Sequence, residues 1–524
     1  MARQSGFPRS WAFTRRRGAP YRAVPCRGSI GSSRRWACLH HGASASRKGT
    51  RNAMNVILVM SDSFRRDHIG AFGNSWIQTP ALDRFAAQST TFPRFRMGSY
   101  ATIPQRTDML TGRYSYASRP WQALEPEDFV LAEALHDKGV ATYCSADTPH
   151  LFHSGKVTFM RGFDAFHWSR GSEVDMWWTD DYNERAYQPP TGKGRIRIGE
   201  KRFKAQWSQG RMRQWEMDWT TPQTFQMAIE WLTRNHRRDN FFLYVDTFDP
   251  HEPWDPPQWA VDLYDPDYEG IPYTWAEYGS VSQYDKRVLK NLQARYAAEC
   301  TVVDRWFGRL LDTVDLLGLA DNTLVIFIAD HGHYIGLPND GGQVGKHVAF
   351  RKSDGKMADK DADVFTPLLD SVSNPPFIVR LPGQTRGAVR NELAQPVDVT
   401  PTILDFFGVK IPASVEGQSV LPLIHGKKTP WRTEAVTACH RNFAQISDGR
   451  WLYGLWPHNH APKLFDGKTD PDQKRDVLRK HPEVAKRLHG HLIAEMRRRG
   501  ASEEWIATLD SNPALRRLGE LKAF

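Results

Sequence analysis

Five short, largely apolar runs punctuate the chain: Val56–Met60 (VILVM), Val140–Cys144 (VATYC), Phe241–Val245 (FFLYV), Leu324–Ala329 (LVIFIA) and Pro376–Val379 (PFIV). Runs this short without polar alternation predict parallel strands covered on both faces. Between them, residues 81–88, 129–138, 222–235 and 291–316 carry helical patterning. Strand–helix alternation predicts an α/β fold, a doubly wound, mixed but mostly parallel sheet with helices on both faces. In such sheets ligands bind beyond the carboxyl ends of the strands, so the residues just after each run become candidates. From about residue 425 the pattern changes to short strands and then a basic helix near 482–499. The expected plan is therefore a basic extension over 1–53, a main domain over 54–424 and a smaller C-terminal α+β domain over 425–524.

Two segments break the alternation. Residues 167–220 hold six tryptophans among mixed charges, read either as an excursion packing on itself or as an aromatic rim facing substrate. Residues 351–363 (RKSDGKMADKDAD) read as a polar loop.

Charge changes the picture less than its total suggests. The formal net charge is +11, but residues 1–53 carry twelve basic residues and no acid, and 11 − 12 leaves the rest near −1. The body is therefore not expected to bind nucleic acid. The basic segment has no seven-residue apolar stretch and does not read as a secretory signal. Met54, directly before the first strand, reads as the start, with a disordered targeting or anion-binding arm as the alternative. No run of eighteen apolar residues occurs, so no membrane partner is expected. Cys144, Cys300 and Cys439 are odd in number and widely spaced, which suits a reducing cytoplasm better than a disulfide framework.

Candidate chemistry gathers at the strand ends. Asp62 follows the first run, and Asp330 and His331 follow LVIFIA. Two carboxylates and an imidazole suit Mn²⁺, Zn²⁺, Fe or Mg²⁺, and Ca²⁺ less well. In SYATIPQRTDMLTGRY (99–114), Pro104 favours a helix start that leaves Thr102 near an amino terminus, where free N–H groups attract anions. Arg106, one turn in, is expected to turn its guanidinium onto the same anion. His251, after FFLYV, is a candidate acid for a leaving alkoxide. His150, after VATYC, offers a second imidazole, and Lys346 a point charge for a substrate oxygen.

With these residues in order, the chain resembles the sulfatase family of the alkaline-phosphatase-like superfamily. The resemblance covers roughly residues 54–495. It rests on Asn55-VILVMSDSFRRDHI-Gly70, Thr79-Pro-Ala-Leu-Asp83, TIPQRTDMLTGRY and Gly162-Phe-Asp-Ala-Phe166. Further along come Asp249-Pro-His-Glu-Pro253, Ala329-Asp-His-Gly332, Val397-Asp-Val-Thr-Pro-Thr402, Gly417-Gln-Ser-Val-Leu-Pro-Leu423 and Leu464-Phe-Asp466 with Thr469-Asp-Pro471. The Asp-His pair at 330–331 and the single acid after strand one are similar to the choline-sulfatase and phosphonate monoester hydrolase branch. The resemblance implies one divalent metal on Asp62, Asp330 and His331, with Thr102 completing the shell. It implies that Arg106 orients nucleophile and anion, while His251 and Lys346 serve the leaving group and equatorial oxygens. His150 matches the second residue of the family's Lys-x-His pair, and Thr148 stands where the lysine is expected.

The largest departure is Thr102. The family carries Cys or Ser there, matured to formylglycine, and threonine has no route to that aldehyde because its Cβ already bears a methyl group. No formylglycine is expected. A threonine ester has to be cleared by water, which is easier at phosphorus than at sulfur, and metal coordination would lower the pKa of the hydroxyl. The expectation is thus a metal-dependent hydrolase of small anionic sulfate, phosphate or phosphonate esters with a Thr102 nucleophile. The alternatives are a catalytically silent binder of anionic ligands and a superfamily phosphotransferase. A homo-oligomer is left open.

Overall fold

The computed structural model describes residues 53–511, apart from 154, 174, 176–209, 211–212, 347–367 and 458–460. Four of the five apolar runs become long central strands: β1 (Asn55–Ser61), β3 (Ala141–Ala146), β5 (Phe241–Thr247) and β6 (Thr323–Ala329). Shorter strands β2 (Thr90–Thr91), β4 (Ala165–Trp168), β7 (Phe377–Arg380) and β8 (Ala388–Val389) complete an eight-stranded sheet ordered β8-β2-β7-β6-β1-β5-β3-β4.

Every residue of β1 is buried because the sheet is covered on both faces. Ile57 and Val59 point into one core with the long helices α4 (Thr220–Asn235) and α5 (Lys286–Leu316), and with α1 (Pro80–Ala87). Val56, Leu58 and Met60 point into the other core, with α2 (Thr102–Thr111), α3 (Leu131–His136) and α6 (Val399–Phe406). The period of two sends alternate residues to opposite faces, and helices on each face remove the need for polar alternation.

One strand runs against expectation. PFIV was expected among the parallel strands, but β7 pairs with β6 antiparallel. The chain leaves β6 at its carboxyl end and returns from that same side: Gly332 N–H donates to Val372 O (2.9 Å), just before β7 begins. With no crossover back to the opposite edge, the returning strand is antiparallel.

After the main sheet, β9 (Ala435–Ala438), β10 (Ala444–Ser447), β11 (Trp451–Leu455) and β12 (Lys463–Asp466) form an antiparallel meander. Helices α7 (Pro482–Arg498) and α8 (Glu503–Asp510) complete its core, which also takes in Tyr114, Tyr116 and Val397 from the main part of the chain. A bridge from Ser99 to Ala438 ties the end of β9 to the segment entering α2. Among the described residues no helix is long and apolar enough to cross a membrane.

The tryptophan-rich 167–220 segment lies mostly outside the described residues, as does the 351–363 loop. Of its described tryptophans, Trp168 stacks on Phe152 with ring centroids 4.4 Å apart, and Trp215 is exposed.

Candidate active site

The carboxyl ends of β5, β1 and β6 lie side by side, with Met60 level with Asp246 and Ser61 level with Ala329. The acids at these ends, Asp62, Asp246 and Asp330, converge as a result. All three are fully buried, which is costly for carboxylates unless each is paired. Arg106 supplies the pairing. Its Nη1 donates to Asp62 Oδ2 (3.1 Å) and Asp330 Oδ2 (2.8 Å), while Nε and Nη2 bind Asp246 in fork geometry (2.8 and 2.7 Å). Surrounding carboxylates hold this guanidinium well above the ordinary arginine range despite burial. Nη1 also donates to the Thr102 carbonyl (3.2 Å), joining the arginine to the start of its own helix. Arg106 thus grips three protein carboxylates; the expectation placed its guanidinium on a substrate anion.

Thr148, in place of the expected lysine, is fully buried. Its hydroxyl donates to Asp246 Oδ1 (2.6 Å), and Tyr244 Oη donates to the other oxygen of the same carboxylate.

Helix α2 brings Thr102 to this cluster. The helix begins at Thr102 and keeps all ten residues buried, although its sequence TIPQRTDMLT is largely polar. The polar side chains of Gln105, Arg106, Thr107, Asp108 and Thr111 each have a hydrogen-bond partner, which is what makes such a helix tolerable in a core. Gln105 accepts from Gly98 N–H (3.1 Å) and donates to Asp330 O (2.9 Å), pinning the first turn to the end of β6. Asp108 accepts from the N–H and hydroxyl of both Ser99 and Ser115, fixing the segments before and after the helix. Gly112 ends it in the left-handed conformation (φ 70°).

Asp62, Asp330 and His331 form a buried group whose ligand atoms lie within 4.8 Å of one another. His331 Nδ1 lies 2.8 Å from Gly332 O, so that nitrogen carries the proton and Nε2 presents a lone pair. Burial, and after it the Lys346 ammonium, push the imidazole down to about 3. Among the described residues Nε2 has no hydrogen-bond partner, and it lies 3.6 Å from Asp330 Oδ2 and 4.0 Å from Asp62 Oδ1. A lone pair facing two carboxylates is repulsive unless a cation sits among them, so these residues fit a divalent metal. Ser63 supports the arrangement: its N–H donates to Asp330 Oδ1 (2.9 Å) and its hydroxyl to Asp62 Oδ1 (2.8 Å). Gly332 is required beside the group, because a Cβ there would lie 1.9 Å from Ser371 O.

Above the group opens a cavity of about 440 Å³. Thr102, His150, His251 and Lys346 line it, so four of the residues expected at the site share one wall-to-wall space. Asp62, Arg106, Asp330 and His331 lie buried beneath. His150 Nε2 pairs with Glu173 (2.8 Å), and its ring meets Trp121 edge-on. His251 stacks on Phe248 with centroids 4.2 Å apart, and Phe248 touches His150 from the side. Tyr100, Tyr116, Trp121 and Tyr278 supply aromatic walls, and Cys439 and His440 arrive from the end of β9.

Sequence reasoning missed Asp246, Glu173, Trp121 and the β9 contribution. Asp246 was within reach of the strand-end rule that selected Asp62 and Asp330. Glu173 and Trp121 carry no local signal, because their places follow from loops folding over the sheet edge.

Comparisons with known proteins bear on the chain as a whole. Residues 54–409 match the sulfatase family profile, and residues 368–498 match that of the N-sulphoglucosamine sulphohydrolase C-terminal region. Arylsulfatase K of Homo sapiens is 24% identical over 497 residues, covering 86% of this chain and 83% of that protein. An arylsulfatase of Clostridium perfringens is 27% identical over 415 residues, covering 72% and 80%. The solved phosphonate monoester hydrolase of Agrobacterium radiobacter shares the fold, with a TM-score of 0.64 at 20% identity, over 85% of this chain and 96% of that one.

Proposed function

The chain belongs to the sulfatase family of ester hydrolases, and from that premise we propose that it cleaves small anionic esters through Thr102 beside one divalent metal, with phosphodiesters and phosphonate monoesters preferred to sulfate esters. The observation that supports this most is the His331 Nε2 lone pair facing Asp62 and Asp330, with Thr102 on the cavity wall and tied to the same carboxylates through Arg106.

A divalent cation on Asp62, Asp330 and His331, with Thr102 completing the shell, would supply Lewis acidity for the ester and a lower pKa for a nearby hydroxyl. Arg106 holds two of those carboxylates at fixed spacing and anchors the Thr102 backbone, so it orients the nucleophile from below. Thr102 sits in the first turn of α2, where the helix dipole favours the anionic group that is attacked. Thr102 reacts as its alkoxide, the form such a cation would favour, and its oxygen bonds to phosphorus or sulfur as the leaving oxygen departs. His251, on the same cavity, gives that oxygen a proton, and Lys346 balances charge on the transferred group. Water then cleaves the Thr102 ester. A threonine has no aldehyde route for expelling the anion, so this last step decides the substrate, and it favours phosphorus.

A preference for sulfate esters is the second reading, favoured by the relatives named arylsulfatases. The reading includes a reducing, cytoplasmic setting, supported by Cys144, Cys300 and Cys439 remaining unpaired.

A panel of p-nitrophenyl sulfate, phosphate, phosphodiester and phosphonate esters, assayed with several divalent metals, tests the proposal. Thr102→Ala is expected to lower turnover of the preferred ester by at least about a thousandfold, while Thr102→Ser retains activity. Full turnover by Thr102→Ala would remove Thr102 as nucleophile. Metal binding without turnover of any ester would leave a binder.

A further inference from the structure

Beside His251 lies Glu252, a fully buried carboxylate that the catalytic reading has not used. His251 Nδ1 lies 2.6 Å from the Glu252 carbonyl oxygen, and since a carbonyl only accepts, Nδ1 carries a proton. Nδ1 is also 3.3 Å from Glu252 Oε2. Nε2 is the ring nitrogen that, on the reading above, exchanges a proton with the leaving oxygen. The far side of the carboxylate is held by Tyr278, whose Oη donates to Oε1, while His333 Nε2 stands 3.1 Å from Oε2. His333 is itself buried against Trp254 and Tyr278, so the carboxylate has little freedom to move.

We propose that Glu252 is the positioning residue for His251: its carbonyl fixes the ring with Nδ1–H inward, and its buried carboxylate stabilises the imidazolium that protonates the leaving oxygen. This rests on the reading of His251 as the leaving-group acid. Thr102 reacts as its alkoxide, the form a divalent cation on Asp62, Asp330 and His331 would favour, so no hydroxyl proton has to be placed. The bond from its oxygen to phosphorus or sulfur forms, the bond to the leaving oxygen breaks with the electron pair staying on that oxygen, and His251 Nε2 supplies the proton. When water clears the Thr102 ester, one water proton returns to Nε2, the hydroxyl stays on the released anion, and Thr102 departs again as the alkoxide. Other charged groups facing His251 are Lys346 and the His150–Glu173 pair across the cavity, with His333 and Tyr278 behind Glu252. Lys346 on the same cavity disfavours the imidazolium, and the Glu252 carboxylate beside Nδ1 is the charge that offsets it.

The test measures kcat/KM against pH for paired esters of one acid with p-nitrophenol and with a simple alcohol, using the full chain with its metal. Glu252→Gln is expected to cost about tenfold or more on the alkyl ester and under about threefold on the p-nitrophenyl ester, which needs little protonation. The alkaline limb should move down by about one pH unit. Placed on His251→Ala, Glu252→Gln should add nothing further. Equal losses on both esters with an unmoved limb, or an undiminished loss on the His251→Ala background, overturns the proposal. If His251→Ala itself shows no leaving-group dependence, the acid role of His251 fails, and this inference with it. A leaving-group-dependent loss in His251→Ala that Glu252→Gln does not share removes Glu252 alone. Should Glu252→Gln fail to fold, NMR titration of His251 in the wild-type chain decides: a pKa at or below the ordinary histidine value of about 6.5 overturns the proposal, and a clearly higher one supports it.

Discussion

At the scale of single residues, Arg106 and its three carboxylates explain how so much charge is buried beneath one cavity. Each of Asp62, Asp246 and Asp330 contacts the guanidinium, so removing one partner leaves the others imperfectly balanced. Asp246→Asn keeps the shape and deletes the charge that binds Arg106 in fork geometry. It is expected to destabilise the chain by about 3–5 kcal/mol, as broken buried pairs do, in urea unfolding followed by tryptophan fluorescence. Wild-type stability in this variant would show that Asp62 and Asp330 suffice. The Thr148 hydroxyl belongs to the same unit, donating to Asp246 where the resemblance calls for a lysine. That replacement was legible in the sequence as a missing cation, but its role as a partner of Asp246 was not. The partner stands 98 residues away and meets it only because β3 and β5 are neighbours.

At the scale of elements, α2 is the part of the chain most directly shaped for the site. Pro104 predicted the helix start to within two residues, and the structure begins it at Thr102. What the local pattern could not show is that a polar helix is entirely buried, held by Asp108 and Gln105 from within. Burial pushes the Asp108 carboxyl up to about 7, against the pull of the Ser99 and Ser115 donors. A carboxyl raised in the folded state binds more protons folded than unfolded, so its contribution to stability is full below about pH 4 and is lost as pH rises toward 7. The stability advantage of wild type over Asp108→Asn is therefore expected to shrink between pH 4 and 7, by up to about 1.4 kcal/mol per pH unit. Thermal or urea unfolding at pH 5, 6 and 8 checks it, and a gap that widens with pH would contradict the assignment. The strand β7 is the opposite lesson. Its four apolar residues announced a strand, and its direction depended on the return path after Gly332.

At the scale of the whole molecule, the candidate metal group draws on two strand ends far apart in sequence, and the cavity on residues from Tyr100 to His440. Asp62, Asp330 and His331 are buried, and the His331 Nε2 lone pair faces both carboxylates. Removing a bound divalent ion with a chelator is thus expected to lower the unfolding midpoint by a few degrees, restored by adding back the metal and abolished in Asp62→Asn. Differential scanning calorimetry reads this without reference to activity. An unchanged midpoint on chelation would argue against a resident metal.

The five apolar runs, the long helices and the order of motifs were legible in the sequence, which also marked Asp62, Thr102, Arg106, His150, His251, Asp330, His331 and Lys346 as candidates. These follow from local periodicity and from the rule that chemistry collects after parallel strands, both properties of short windows. Only the tertiary structure decided that Arg106 faces carboxylates, that Asp246 joins them, that Glu252 backs His251, and that Cys439 and His440 reach the cavity from β9. Those placements depend on which strands become neighbours and on how loops cross the sheet edge. Such contacts are set by packing and charge compensation between residues remote in sequence, so no short window contains them.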